Sequence, residues 1–123
     1  MGKRILVVDD NARMCSVVST ILTVMGGYDV QTASSGPEAL EVVSHDAPDV
    51  ILMDVMMPEM DGPTVIQHLR ESERTRDIPV ILLTARHDLE AREEYARLGV
   101  AGLIPKPFDP SRLTITVSET LGG

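Results

Sequence analysis

Four short apolar runs in this chain each stop at a polar, chemically useful residue. Ile5-Leu6-Val7-Val8 runs into Asp9-Asp10, and Val50-Ile51-Leu52-Met53 into Asp54. Val80-Ile81-Leu82-Leu83 runs into Thr84, and Gly102-Leu103-Ile104-Pro105 into Lys106. Short unbroken apolar runs fit strands covered on both faces, as in a parallel sheet between layers of helix. In open α/β sheets, ligands sit just beyond the carboxyl ends of the strands. The pattern therefore predicts one rim where three carboxylates, a hydroxyl and an ammonium meet.

The segments between the runs supply the helices. Asn11 caps a first helix with apolar positions Met14, Val17, Val18, Ile21, Leu22 and Met25, and Gly26-Gly27 ends it. Tyr28 to Ala33 alternates and reads as an edge strand. Ser35 caps a second helix, with Pro37 in its first turn, Glu38 placed for a capping box, and Ala39, Leu40 and Val43 inward. Asp61 caps a third, with Val65, Ile66 and Leu69 inward; residues 70–77 are charged and read as a frayed end plus loop. Asp88 caps a fourth, with Leu89, Tyr95 and Leu98 on its apolar side and Gly99 as its stop. Asp109-Pro110 opens a fifth, with Leu113, Val117 and Leu121 on one face. Five strands alternate with five helices, so right-handed crossovers give a doubly wound parallel sheet. The alternating second strand belongs at an edge, which predicts the flavodoxin-like α/β order 2-1-3-4-5 in one domain over residues 1–123.

Composition narrows the function. Hydrophobic residues make up 43% and charged residues 24%, as in a globular chain. The net charge of −8 argues against direct nucleic-acid binding, which needs basic patches. One cysteine, Cys15, excludes an internal disulfide and a cysteine-based zinc site. It fits a reducing cytoplasm. No apolar stretch is long enough to span a bilayer, and the first residues do not read as a signal peptide.

The rim has a chemistry of its own. Strands one and three are neighbours in the predicted order, which brings Asp9, Asp10 and Asp54 together. Three crowded carboxylates repel unless a cation joins them. Magnesium suits an all-oxygen site with few protein ligands. Any one of these aspartates alone would more simply cap the next helix. Asp54 has the best placement for a nucleophile that accepts a phosphoryl group as an acyl phosphate. Lys106 can supply a point charge to the product and Thr84 a hydroxyl. Phosphoryl transfer asks mainly for positioning and charge neutralisation.

Val7-Val8-Asp9-Asp10-Asn11, the stretch from Met53 through Asp54-Val55-Met56-Met57-Pro58-Glu59-Met60-Asp61 to Gly62, Leu83-Thr84-Ala85 and Lys106-Pro107-Phe108 resemble the receiver domain of two-component response regulators. The resemblance covers nearly the whole chain in order and spacing. It implies Asp54 as phosphoacceptor and a histidine kinase or phosphotransfer protein as donor. It implies magnesium held by Asp10, Asp54 and the backbone carbonyl of Met56, with Asp9 acting through a water. It also implies a cis Lys106-Pro107 bond, and room beside Ala85 for Thr84 to approach the phosphoryl group. The expected role is a signalling module that modifies only itself and turns over no external substrate. Its output partner is not identified by the sequence, and it is either a stand-alone receiver or a piece of a longer regulator.

The chain departs from that family at three positions. Many receivers carry Tyr or Phe where this chain has Leu103, so an aromatic switch cannot operate there. Met56 and Arg86 occupy positions that tend to set the phosphoryl lifetime, and neither can orient an attacking water. Slow self-dephosphorylation is expected, with Arg86 in reach of the phosphoryl group. Two rival classes fit less well. An Asp-nucleophile phosphatase of the haloacid-dehalogenase kind needs an Asp-x-Asp pair, and Val55-Met56 follow Asp54. A flavodoxin needs a phosphate loop where Asp9-Asp10-Asn11 stand. Cys15 reads as packing. His45, His68 and His87 have no ligand spacing. Met56, Met57 and Met60 cluster on the loop after Asp54, and part of that cluster could meet a partner.

Overall fold

The computed structural model describes residues 2–86 and 88–122. Five strands alternate with five helices: β1 Arg4–Val8, α1 Ala12–Gly26, β2 Asp29–Ala33, α2 Gly36–His45, β3 Val50–Asp54, α3 Gly62–Arg70, β4 Val80–Thr84, α4 Leu89–Arg97, β5 Gly102–Pro105 and α5 Pro110–Thr120. The strands form one parallel sheet in the order β2-β1-β3-β4-β5. The predicted topology holds, with the alternating strand at an edge.

Every residue of β3 and β4 is buried, which explains their unbroken apolar runs. Successive side chains point to opposite faces. Ile5, Val7, Val50, Leu52, Ile81, Leu83 and Ile104 pack with α1 and α5. Leu6, Val8, Ile51, Met53, Val80 and Leu82 pack with α2, α3 and α4. The site inherits this division.

The five predicted caps, Asn11, Ser35, Asp61, Asp88 and Asp109, each accept a backbone N–H of the helix that follows. Such caps are worth about 1 kcal/mol apiece. The Ser35 box is half formed, because the Glu38 carboxylate takes the Ser34 hydroxyl at 2.9 Å. Gly27 and Gly99 end α1 and α4 with φ of 68° and 74°.

Two burial expectations fail. Val17 and Met25 are 44% and 52% exposed, because α1 turns Cys15, Val18 and Leu22 to the sheet. Leu89 is 72% exposed at the start of α4, whose inward residues are Ala91 and Tyr95. The methionine cluster divides, with Met57 buried and Met56, 76% exposed, the part of it that is open to a partner. The stretch after Arg70 is a series of turns rather than a frayed end. The Arg70 guanidinium donates to the carbonyls of Arg76, Ile78 and Gly99.

Candidate functional site

Asp9, Asp54 and Lys106 continue the face of the sheet that packs on α1 and α5. They stand two residues beyond Val7, Leu52 and Ile104, so the period of the strand points them the same way. Their ends meet. Lys106 Nζ donates to Asp54 Oδ1 at 2.9 Å and lies 3.9 Å from Asp9 Oδ2. Carboxylate oxygens of Asp9, Asp10 and Asp54 lie within 4.8 Å of one another. Asp9 and Asp54 are buried and Asp10 is exposed.

Asp9 is fixed from two directions. Its Oδ1 accepts the Asn11 N–H at 2.9 Å, and its own N–H donates to the Ala33 carbonyl at 3.1 Å. Its Oδ2 is buried without a hydrogen bond. Burial pushes its carboxyl above the ordinary carboxylate range, and the charges of Asp54 and Asp10 add to this. The Asn11 N–H and the Lys106 ammonium pull the other way. A buried carboxylate oxygen with no donor costs free energy. A small hard cation between the three carboxylates removes that cost, so the donor set fits magnesium.

The loop after Asp54 is closed tightly. Val55 N–H donates to the Leu83 carbonyl at 3.1 Å, and Gly62 N–H donates to the Val55 carbonyl at 2.9 Å. A Cβ on Gly62 would stand 3.0 Å from the Asp54 carbonyl oxygen and 3.2 Å from Val55 Cα. A side chain here would have to push this backbone aside by a few tenths of an ångström. Glu59 takes the one positive φ among described non-glycine residues, 67°. The Lys106–Pro107 peptide is cis.

Thr84 ends the neighbouring strand but has the other parity, following Val80 and Leu82 on the α4 side. Its hydroxyl donates to the Arg86 carbonyl at 3.0 Å and accepts the Arg86 N–H at 2.9 Å. It makes no hydrogen bond to Asp54 among the described residues. The Arg86 guanidinium lies 3.5 Å from Asp88, on the loop side. Ala85 is exposed, and Leu103 is half-buried against the α4 layer.

One contact had no signal in the sequence. The buried Cys15 thiol donates to the Asp9 carbonyl at 3.3 Å. Burial, with the nearby Asp9 charge, pushes that thiol up, so it stays protonated. His45 and His68 lie near Glu41 and Glu71 on helix surfaces, away from the rim. His87 lies outside the described residues.

Comparison with known proteins gives a consistent picture. A family model described as response regulator receiver domain matches residues 5–118. Response regulator PleD of Caulobacter vibrioides is 43% identical over 109 residues, 89% of this chain and 24% of that protein. The DNA-binding dual master transcriptional regulator RpaA of Synechocystis sp. is 39% identical over 118 residues, 96% of this chain and 48% of that one. The chain spans about half the length of the curated relatives it matches, or about a quarter for PleD. The chemotaxis response regulator CheY4 of Vibrio cholerae superposes with TM-score 0.91 at 32% identity, over 98% of this chain and 99% of that chain. The receiver domain of a sensor histidine kinase from Pseudomonas aeruginosa, with magnesium coordinated in its active-site cleft, gives TM-score 0.89 at 30% identity over 100% of both chains.

Proposed function

The chain belongs to the receiver domain family of two-component response regulators, and on that premise we propose that Asp54 is the residue that carries the phosphoryl group. The observation behind this is the placing of Asp54, buried at a strand end with Oδ1 held by Lys106 at 2.9 Å. Its other oxygen makes no hydrogen bond among the described residues. That oxygen forms a bond to phosphorus while the bond from phosphorus to the donor breaks, leaving an acyl phosphate. Lys106 balances the charge that builds on the transferred group. Thr84 joins only after its hydroxyl leaves the Arg86 carbonyl.

Asp10, Asp54 and the Met56 carbonyl would hold magnesium, with Asp9 reaching it through a water. The ion would screen the carboxylates from each other and from the incoming phosphoryl oxygens. The orphaned Asp9 oxygen and the close carboxylates support this assignment.

The donor is a histidine kinase or phosphotransfer protein, acting in the cytoplasm. An apolar shelf of about 560 Å³ beside Lys106 suits such a donor; Met14, Val17, Ile21, Pro107 and Phe108 line it. Ile21→Arg should slow transfer from a phosphorylated phosphotransfer protein and leave labelling by acetyl phosphate unchanged. The described residues include no helix long and apolar enough to cross a membrane. The domain modifies itself and turns over no external substrate.

Self-dephosphorylation is slow. Met56 projects into solvent and Arg86 lies beside Asp88, so neither orients a hydrolytic water. The deciding experiment is mass spectrometry after incubation with acetyl phosphate and magnesium. One phosphoryl group on the wild type and none on Asp54→Ala is expected; continuous turnover or labelling of the variant overturns the assignment. Met56→Asn should shorten the half-life of the phosphorylated form, and an unchanged half-life refutes the slow-hydrolysis reading.

A further inference from the structure

Sulfur is unevenly placed in this molecule. The Cys15 thiol is buried and bonded to the Asp9 carbonyl at 3.3 Å, which shields it from oxidants. Met53 and Met57 are buried, and Met14 and Met60 are partly covered. Among the described residues two thioethers stand largely in solvent, Met56 at 76% and Met25 at 52% exposure. They lie at opposite ends of the fold. Met25 is in the last turn of α1, about 20 Å along that helix from its rim end. Met56 is two residues beyond Asp54, so the two Cα atoms are at most about 7 Å apart. Its side chain belongs to neither core cluster. The backbone around it is pinned, with the Val55 N–H on the Leu83 carbonyl and the Gly62 N–H on the Val55 carbonyl.

Oxidation of a buried methionine disrupts a core, whereas oxidation of an exposed one changes only its local chemistry. We propose that Met56 is a modification site for hydrogen peroxide, and that its sulfoxide speeds loss of the phosphoryl group from Asp54. This rests on the reading of Asp54 as the phosphoacceptor. In the first step the thioether sulfur attacks one peroxide oxygen. A sulfur–oxygen bond forms, the oxygen–oxygen bond breaks, the sulfur is oxidised by two electrons, and the second oxygen leaves as water. The product carries a strong, partly negative hydrogen-bond acceptor in place of a weak one. The thioether does not orient a hydrolytic water. The sulfoxide oxygen does, by accepting one of the water's hydrogens at the mouth of the site. That water bonds to phosphorus as the bond from phosphorus to Asp54 breaks. The Asp54 carboxylate leaves with the bonding electrons. The water's proton goes to the released phosphate, because a sulfoxide is too weak a base to keep it. The Met56 carbonyl is part of the backbone and is unchanged. Met25 has no reacting group beside it, so its sulfoxide has no such consequence.

The test treats the metal-free chain with dilute hydrogen peroxide, removes the peroxide, and maps sulfoxides by tandem mass spectrometry of the peptides. Met56 is expected to be oxidised ahead of Met53, Met57 and Met60. Oxidised and untreated chains are then labelled with acetyl phosphate and magnesium, and loss of the phosphoryl group is followed after desalting. Oxidation should shorten the half-life by about threefold or more. Met25→Leu should show the same shortening. Met56→Leu, whatever its own half-life, should show none on peroxide treatment. Reduction by a methionine sulfoxide reductase should restore the longer half-life, and circular dichroism should find the oxidised chain folded. The proposal is overturned if Met56 oxidises no faster than the buried methionines, or if the oxidised chain unfolds or takes no label. It is overturned equally by an unchanged or longer half-life, or by the same shortening in Met56→Leu. An untreated chain that takes no label removes the Asp54 reading and this proposal together. A labelled chain whose half-life ignores peroxide removes this proposal alone.

Discussion

The two faces of the sheet differ sharply at its carboxyl edge. On the face toward α1 and α5, Asp9, Asp54 and Lys106 are packed into a common charged centre with contacts of 2.9 and 3.9 Å. On the face toward α4, Thr84 bonds only to its own loop, Leu103 is half-buried, and a cleft stands open. The first face brings its charged groups into contact. The second has a hydroxyl held by the Arg86 backbone beside an open cleft. Burial accounts for the contrast. The strands beneath the charged centre are sealed by Val18, Leu22, Leu113 and Val117, whereas α4 turns only Ala91 and Tyr95 inward.

The largest predicted effect tests the sealed face. Leu52 is fully buried at its middle, and Leu52→Ala should lower unfolding stability by about 2–5 kcal/mol in urea titration. A loss below that range would mean the face is less rigid than its packing implies. Next, Lys106→Ala should slow labelling of Asp54 by acetyl phosphate about a hundredfold, the usual scale for one charge-stabilising donor. A rate within a few-fold of wild type would remove Lys106 from the transfer step.

Asp9 gives a smaller effect of the opposite sign. Its folded-state carboxyl lies above the ordinary value, so the folded metal-free chain holds this proton more tightly than the unfolded chain. Its contribution is therefore fully present below the ordinary value of 3.8 and is lost as pH rises through the raised one. Asp9→Asn should stabilise the metal-free protein at neutral pH by about 1–2 kcal/mol and flatten that part of the pH profile. Magnesium should stabilise the wild type more than the variant. A variant less stable than wild type without metal would show that the carboxylate is satisfied. Smallest is Leu89→Ala on α4. Leu89 is 72% exposed, so its loss should change stability by no more than about 0.5 kcal/mol. A larger cost would show that α4 packs more firmly than its inward residues suggest.

Much of the rim was legible without coordinates, for a simple reason. A buried parallel strand must be apolar throughout, so the residue that breaks the run marks the strand end and the site together. The helix caps were legible because an oxygen-bearing side chain must meet orphan N–H groups at a fixed offset. Helix faces were less so. Val17 and Leu89 are apolar and fall at helical spacing, yet both face solvent, because local periodicity does not say how far a helix is rotated against its sheet.

The sequence by itself determined the order of elements, the strand that lies at the edge, and the residues that gather at the carboxyl rim. Only the tertiary structure decided which of those residues touch. Strand parity puts Asp9, Asp54 and Lys106 on one side and Thr84 on the other, and close packing leaves Asp9 Oδ2 without a hydrogen bond and Gly62 tight against the Asp54–Val55 backbone. The Cys15 thiol under Asp9 and the cleft beside Thr84 are also tertiary facts. They join residues distant in the chain, and no local pattern of charge or hydropathy records which distant neighbours a folded backbone will bring together.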